Sequence, residues 1–211
     1  MSFTDITLAR MMSVSDVTSY NGVMGRWEPN AGGRLQRAAM ELYAEQGFEN
    51  TTVAEIAERA GLSERTFFRH FSDKREVLFA GAAELQKFLV EAVSSAPRSC
   101  PPIVAVANAF ETVSSSFQER REGAQLRQTV INANPELQER ELIKLASIAS
   151  ALANALRESG VREPTASLAS EAGVVAFRVA FDSWVQPSNT RDLADVIRSA
   201  FSQLEDVASA K

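Results

Sequence analysis

From Thr51 to Phe71 the chain reads TTVAEIAERAGLSERTFFRHF, and the order of its capping, apolar and glycine residues decides the fold. Thr52 to Glu55 is a T-x-x-E capping box, in which hydroxyl and carboxylate each satisfy an orphan backbone N–H at a helix start. Val53, Ile56, Ala57 and Ala60 then recur at helical spacing and face one core. Gly61 tolerates the backbone of a sharp turn, Leu62 packs beneath it, and Ser63 N-caps a further short helix, Glu64–Phe71. Ala57 is small where the two helices cross. Phe67 and Phe71, four apart, anchor the second helix to its neighbours. Two short helices joined by Gly-Leu-Ser have the layout either of an ordinary helical corner or of a helix-turn-helix, in which the second helix sets its N-terminal residues against base edges in the DNA major groove. Ser63, Glu64, Arg65, Thr66, Phe68, Arg69 and His70 remain to be divided among groove, phosphate and core.

Working outward, Leu35, Ala38, Ala39, Leu42 and Tyr43 make the apolar face of a first helix, which Gly47 stops. Ser72-Asp73 is expected to cap a fourth helix running from Lys74 to about Ser94. Pro97, Pro101 and Pro102 then interrupt helical winding. Five more helices follow at about 102–119, 121–133, 135–159, 164–185 and 190–209, with Gly160 and Pro187 as punctuation. No alternating strand pattern and no repeat occurs. The chain is therefore expected to be all-α, with about nine helices: a DNA-binding head over 29–80 and a helical ligand-binding and dimerisation domain over 81–211. Residues 1–28 lack periodicity and are expected to form a flexible arm. Within it, 1–23 are expected to be dispensable, Met24 resembles a chain start, and Trp27 is expected to pack on the head.

Composition narrows the function. Of 211 residues, 45% are hydrophobic and 23% charged, with a net charge of −5, which argues against indiscriminate binding to polyanions. From Arg34 to Phe79, seven basic residues face eight acidic ones. Since Arg65, Arg69 and Lys74 cluster around the recognition helix, a modest basic face is expected there. Cys100 and His70 are the only residues of their types, so a disulfide within the chain and a Cys- or His-cluster metal site are excluded. The longest apolar stretch, Gly173–Val185, contains Arg178 and Asp182 and falls short of the roughly 20 residues of a membrane span. Without a signal peptide pattern, a cytoplasmic location is expected. No Gly-rich phosphate loop and no nucleophile with a histidine partner outside the head is present, so neither an enzyme nor a cofactor protein is expected. An all-α adaptor that binds protein through exposed aromatics is the competing reading. Such an adaptor would be indifferent to duplex sequence and to loss of Arg65.

The string Arg34–Phe79 closely resembles the N-terminal signature of the TetR family of transcriptional regulators. Its pieces are Glu45-Gln-Gly-Phe-Glu-Asn-Thr-Thr-Val53, Ile56-Ala-Glu-Arg-Ala-Gly-Leu-Ser63, Thr66-Phe-Phe-Arg-His-Phe71 and Lys74-Arg-Glu-Val-Leu78. The resemblance implies that Thr51 or Thr52 holds a phosphate, and that Arg65 and Thr66 face base edges. It also implies that His70 and Lys74 contact phosphate, that Arg34 reaches the DNA backbone, and that Ser63 and Arg69 belong to the same surface. Phe68 departs from the family's usual tyrosine and has no hydroxyl to offer a phosphate. The resemblance further implies a homodimeric repressor, paired through its last two helices, released from a palindromic operator in double-stranded DNA by a small apolar effector. Phe88, Phe110, Phe117 and Leu126 are the expected lining of the effector cavity. Ala169, Ala172, Gly173 and Ala176 are expected to permit close approach of the partner, and Arg178 and Asp182 to pair.

Overall fold

The computed structural model describes residues 30–118 and 120–209. The expectations for the arm, and for Trp27, fall on residues outside that range. Among the described residues there are nine α-helices, one 3-10 turn and no strand.

Three helices make the head: α1 (Ala31–Gln46), α2 (Val53–Arg59) and α3 (Glu64–His70). Leu35, Ala38, Leu42, Ile56, Ala60 and Phe67 close its core. Phe67 is fully buried, which is worth about 1.5–3 kcal/mol relative to exposure. Gly61 sits at φ +65°, a backbone angle that favours glycine; a Cβ there would meet only the tip of the Arg34 guanidinium, at 2.9 Å. The head does not close on itself. Val130, Ile131 and Leu137, far along the chain, complete the same core.

The fourth helix differs from expectation. Asp73 caps a 3-10 turn, Glu76–Phe79, by accepting from the backbone N–H groups of Arg75 (2.8 Å) and Glu76 (3.1 Å). Gly81 then takes φ +86°, and α4 begins afresh at Ala82–Ser94. Val77, Leu78 and Phe79 are all buried in that turn, and the left-handed backbone at Gly81 separates it from the helix that follows.

The body consists of α4 followed by α5 (Pro102–Gln118), α6 (Arg121–Asn132), α7 (Pro135–Glu158), α8 (Thr165–Trp184) and α9 (Leu193–Ser209). Its core gathers Leu89, Val106, Phe110, Leu152, Phe177 and Trp184. Phe110 and Phe177 stack at 4.4 Å. A Cβ on Gly173 would fall 2.4 Å from Val106, so α8 meets α5 at a distance only glycine allows. This corrects the expected use of the small residues. Ala169, Gly173 and Ala176 are buried inside their own body, and Ala172 is half-buried. The outward stripe of α8 is instead Leu168, Val175 and Val179, all exposed. Arg178 and Asp182 form no ion pair. Burial, then the nearby Glu141, raises the Asp182 carboxyl above its ordinary range, and Arg178 only offsets this. No described helix is long and apolar enough to cross a membrane.

Candidate nucleic-acid interface and effector cavity

Ser63 starts α3 in extended geometry and accepts from the Thr66 N–H at 3.2 Å. With 100° per residue, the buried Phe67 turns the side chains of Arg65 and Arg69 away from the core. Both are exposed and stand clear of any ion pair with described residues. Glu64 and Phe68 flank them, also exposed, and Thr66 is half-buried with its hydroxyl 3.1 Å from that of Ser63. His70 is exposed, with Nδ1 beside Gly32 in the first turn of α1. Ser63, Arg65, Thr66, Phe68, Arg69 and His70 thus share one short helix and its cap.

The other expected contacts are placed differently. Thr51 is buried, and its hydroxyl donates to the Gly47 carbonyl at 2.8 Å. Thr52 is exposed and forms the capping box with Glu55, its backbone N–H and hydroxyl each donating to that carboxylate at 2.8 Å. Those donors, with Gln46, hold the Glu55 carboxyl below its ordinary range. Lys74 turns inward. Its ammonium donates to the carbonyls of Phe48 (2.8 Å), Thr51 (2.9 Å) and Glu49 (3.1 Å), and lies 4.5 Å from the centre of the Phe48 ring. All three ammonium protons thus point at backbone carbonyls of the Phe48–Thr51 loop. Arg34 donates to the Ala60 carbonyl at the end of α2. Arg59 grips Glu45 of α1 with both nitrogens, at 2.9 and 2.8 Å.

A cavity of about 1100 Å³ lies where head and body meet. Leu78–Ala82 and Gln36 of α1 form its head end, and α4 to α8 its walls, with Leu85, Phe88, Phe117, Leu145, Phe177 and Phe181 as apolar lining. Phe88 and Phe117 are thus on the wall. Phe110 is not: it is stacked behind Phe177 in the core. Leu126 packs against the head core instead.

The residues that join cavity to head carry no local sequence signal. Arg127 lines the cavity, donates to the Leu78 carbonyl at 2.7 Å, pairs with Glu141 at 2.9 Å and covers the Phe79 ring. Gln128 is buried and donates to Glu141 at 3.3 Å. Glu76, at the start of the 3-10 turn, pairs with Arg140 and Lys144 of α7, and Arg75 lies 3.5 Å from Glu136. The joint is therefore gripped from α6 and α7, by Arg127, Gln128, Glu141 and Lys144 on the cavity wall and by Glu136 and Arg140 away from it.

Comparison with known proteins agrees with this layout. The model for bacterial regulatory proteins of the tetR family matches residues 35–80, and that for the MftR C-terminal domain matches 100–209. The HTH-type transcriptional regulator TcmR of Streptomyces glaucescens is 39% identical over 80 residues, which are 38% of this chain and 35% of TcmR. The putative mycofactocin biosynthesis transcriptional regulator MftR of Mycobacterium tuberculosis is 30% identical over 119 residues, 54% of this chain and 58% of that protein. The match thus spans about a third of TcmR and just over half of MftR. The structure of Thermus thermophilus FadR, a TetR-family repressor in complex with lauroyl-CoA, superposes with a TM-score of 0.53 at 24% identity, covering 85% of this chain and 96% of that one. At that identity the likeness is one of fold.

Proposed function

The chain belongs to the TetR family of bacterial transcriptional regulators, and from that premise we propose that it is a homodimeric repressor of a palindromic operator, released by a small, mostly apolar effector. The observation that carries this reading is α3. Two arginines with no ion pair among the described residues and one phenyl ring project from a helix whose opposite side is sunk in the core. Arg65, nearest the helix N-terminus, has the bidentate fork that matches the O6 and N7 acceptors of guanine. Thr66 offers a methyl group beside it. Thr52, Ser63, Arg69 and His70 border the same surface and meet phosphate or sugar. Arg34 and Lys74 serve the interface by fixing the ends of α2 and the turn before it.

The exposed stripe Leu168, Val175 and Val179 of α8, with Val207 of α9, is apolar surface that a second copy covers. Twofold symmetry of the dimer then requires twofold symmetry of the operator. The cavity is large for a small-molecule site and mostly apolar, and FadR shows that this fold accommodates a fatty acyl thioester. An acyl chain is accordingly the effector class we favour. An occupant that moves Arg127 or the Leu78–Gly81 segment shifts the head against the body, so operator and effector each weaken the other's binding by one common factor. The protein is in this reading a regulator without a catalytic step, working in the cytoplasm with its DNA.

Selection of bound duplexes from a random pool tests the proposal. The expected product is a near-palindrome with two half-sites about one helical turn apart. Recovery of unrelated sequences, or of none, would favour an adaptor instead.

A further inference from the structure

Phe68 is the exposed apolar side chain of the recognition helix. It is 55% accessible, although the head has a core with room for aromatic residues. Its ring is not loose. It meets the buried Phe67 ring edge-on, with centroids 5.5 Å apart and planes at 83°. One side of Phe68 is thus held by the core while the other points outward beside Arg65, three residues earlier and on the adjoining strip of the helix. A phenyl ring can neither donate to a phosphate nor accept from a base, so hydrogen bonding does not explain its position. In the major groove, the one apolar group that base edges present is the C5 methyl of thymine. We propose that Phe68 determines specificity by packing on that methyl group, so that each half-site carries a thymine next to the base pair read by Arg65.

This rests on the operator-binding reading above, and the experiment separates the two. Full-length protein is titrated against its selected operator and against duplexes in which each thymidine in turn is replaced by deoxyuridine, which removes the methyl group alone. One thymine per half-site is expected to cost about fourfold in affinity, the factor that one buried methyl supplies. In Phe68→Ala that cost disappears, and thymine and uracil duplexes bind alike. Phe68→Tyr keeps the ring and keeps the discrimination. Thr66→Ser, which deletes the other methyl near the groove, also keeps it. Phe68→Ala gives up the edge contact with Phe67, so its melting temperature is expected to drop by a few degrees while the protein stays folded at the assay temperature, which thermal melting checks and which excludes unfolding as the cause. An unchanged uracil cost in Phe68→Ala overturns the inference while leaving operator binding intact. So does a loss in Phe68→Ala that is equal for every duplex. Absence of any selected operator removes the reading beneath it as well.

Discussion

In the head, the groups that open each short helix are met from three residues away, Thr52 by Glu55 and Ser63 by Thr66. In the body the polar ties reach much farther. The Trp184 indole donates to Gln118 at a separation of 66 residues, Arg121 reaches the Trp184 carbonyl across 63, and Arg198 reaches Glu111 across 87. The head adds a middle class: Lys74 and Arg34 bind carbonyls 23 to 26 residues away. Local caps fix where helices begin and end, and the long ties fix which helices are neighbours. A surface that reads DNA needs side chains held to a set direction, which local caps on a small core provide. A cavity needs walls drawn from distant segments, which the apolar core gathers and the long ties hold in register.

Breaking a long tie is expected to cost most. Trp184→Ala removes a fully buried ring and leaves Gln118, which also accepts from the Leu193 N–H, with one partner fewer. The loss should be about 3–5 kcal/mol in urea unfolding. A loss below 1 kcal/mol would show that α8 is not anchored there.

The middle class comes next. Lys74→Met keeps the side-chain stem but withdraws the charge from three carbonyls, for about 1–3 kcal/mol of stability. The salt dependence of operator binding should keep its slope, because that slope counts phosphate contacts. A flatter slope would return Lys74 to the DNA surface. Arg65→Ala is expected to leave melting unchanged, yet to lose about 1–3 kcal/mol of operator affinity and relax the sequence preference. Equal weakening of all duplexes would place Arg65 on phosphate.

The smallest effect belongs to a local cap. The Glu55 carboxyl is held below its ordinary value by Thr52 and Gln46, so its contribution is present above about 4.5 and fades as pH falls through the lowered folded value. Glu55→Gln should lower stability slightly at pH 7, where the charge is present, and converge with the parent at low pH, which flattens that part of the acid limb of the stability curve. An unaltered acid limb would show that the box adds nothing through charge.

These distances also explain what was legible in the sequence. The capping box, the Ser63 cap and the Gly61 turn involve residues within one or two helical turns, and periodicity finds them. Helical phase places Phe110 on an apolar face, but it cannot tell that Phe177 stands between it and the cavity. It likewise cannot tell that Leu126 turns toward the head. The break at Gly81 has a trace in the sequence, a glycine directly after the apolar run Val77-Leu-Phe-Ala80. Arg127 left none: an arginine in a polar helix gives no hint of a carbonyl 49 residues earlier. The resemblance assigned Lys74 by its position in a motif, and the side chain's length lets it turn back to the loop before α2.

The core shared by head and body has a bearing on protein engineering. Val130, Ile131 and Leu137 belong to the helices that wall the cavity, yet they are buried against α1 and the 3-10 turn. Cutting the chain after Gly81 and grafting its reading head onto another regulator's sensor would leave that seam exposed in one fragment and mismatched in the chimera. The transplantable module is the head together with the seam residues of α6 and α7. A hybrid that carries those side chains along should couple the new sensor to the old operator, whereas one joined only at the linker inherits a loose head.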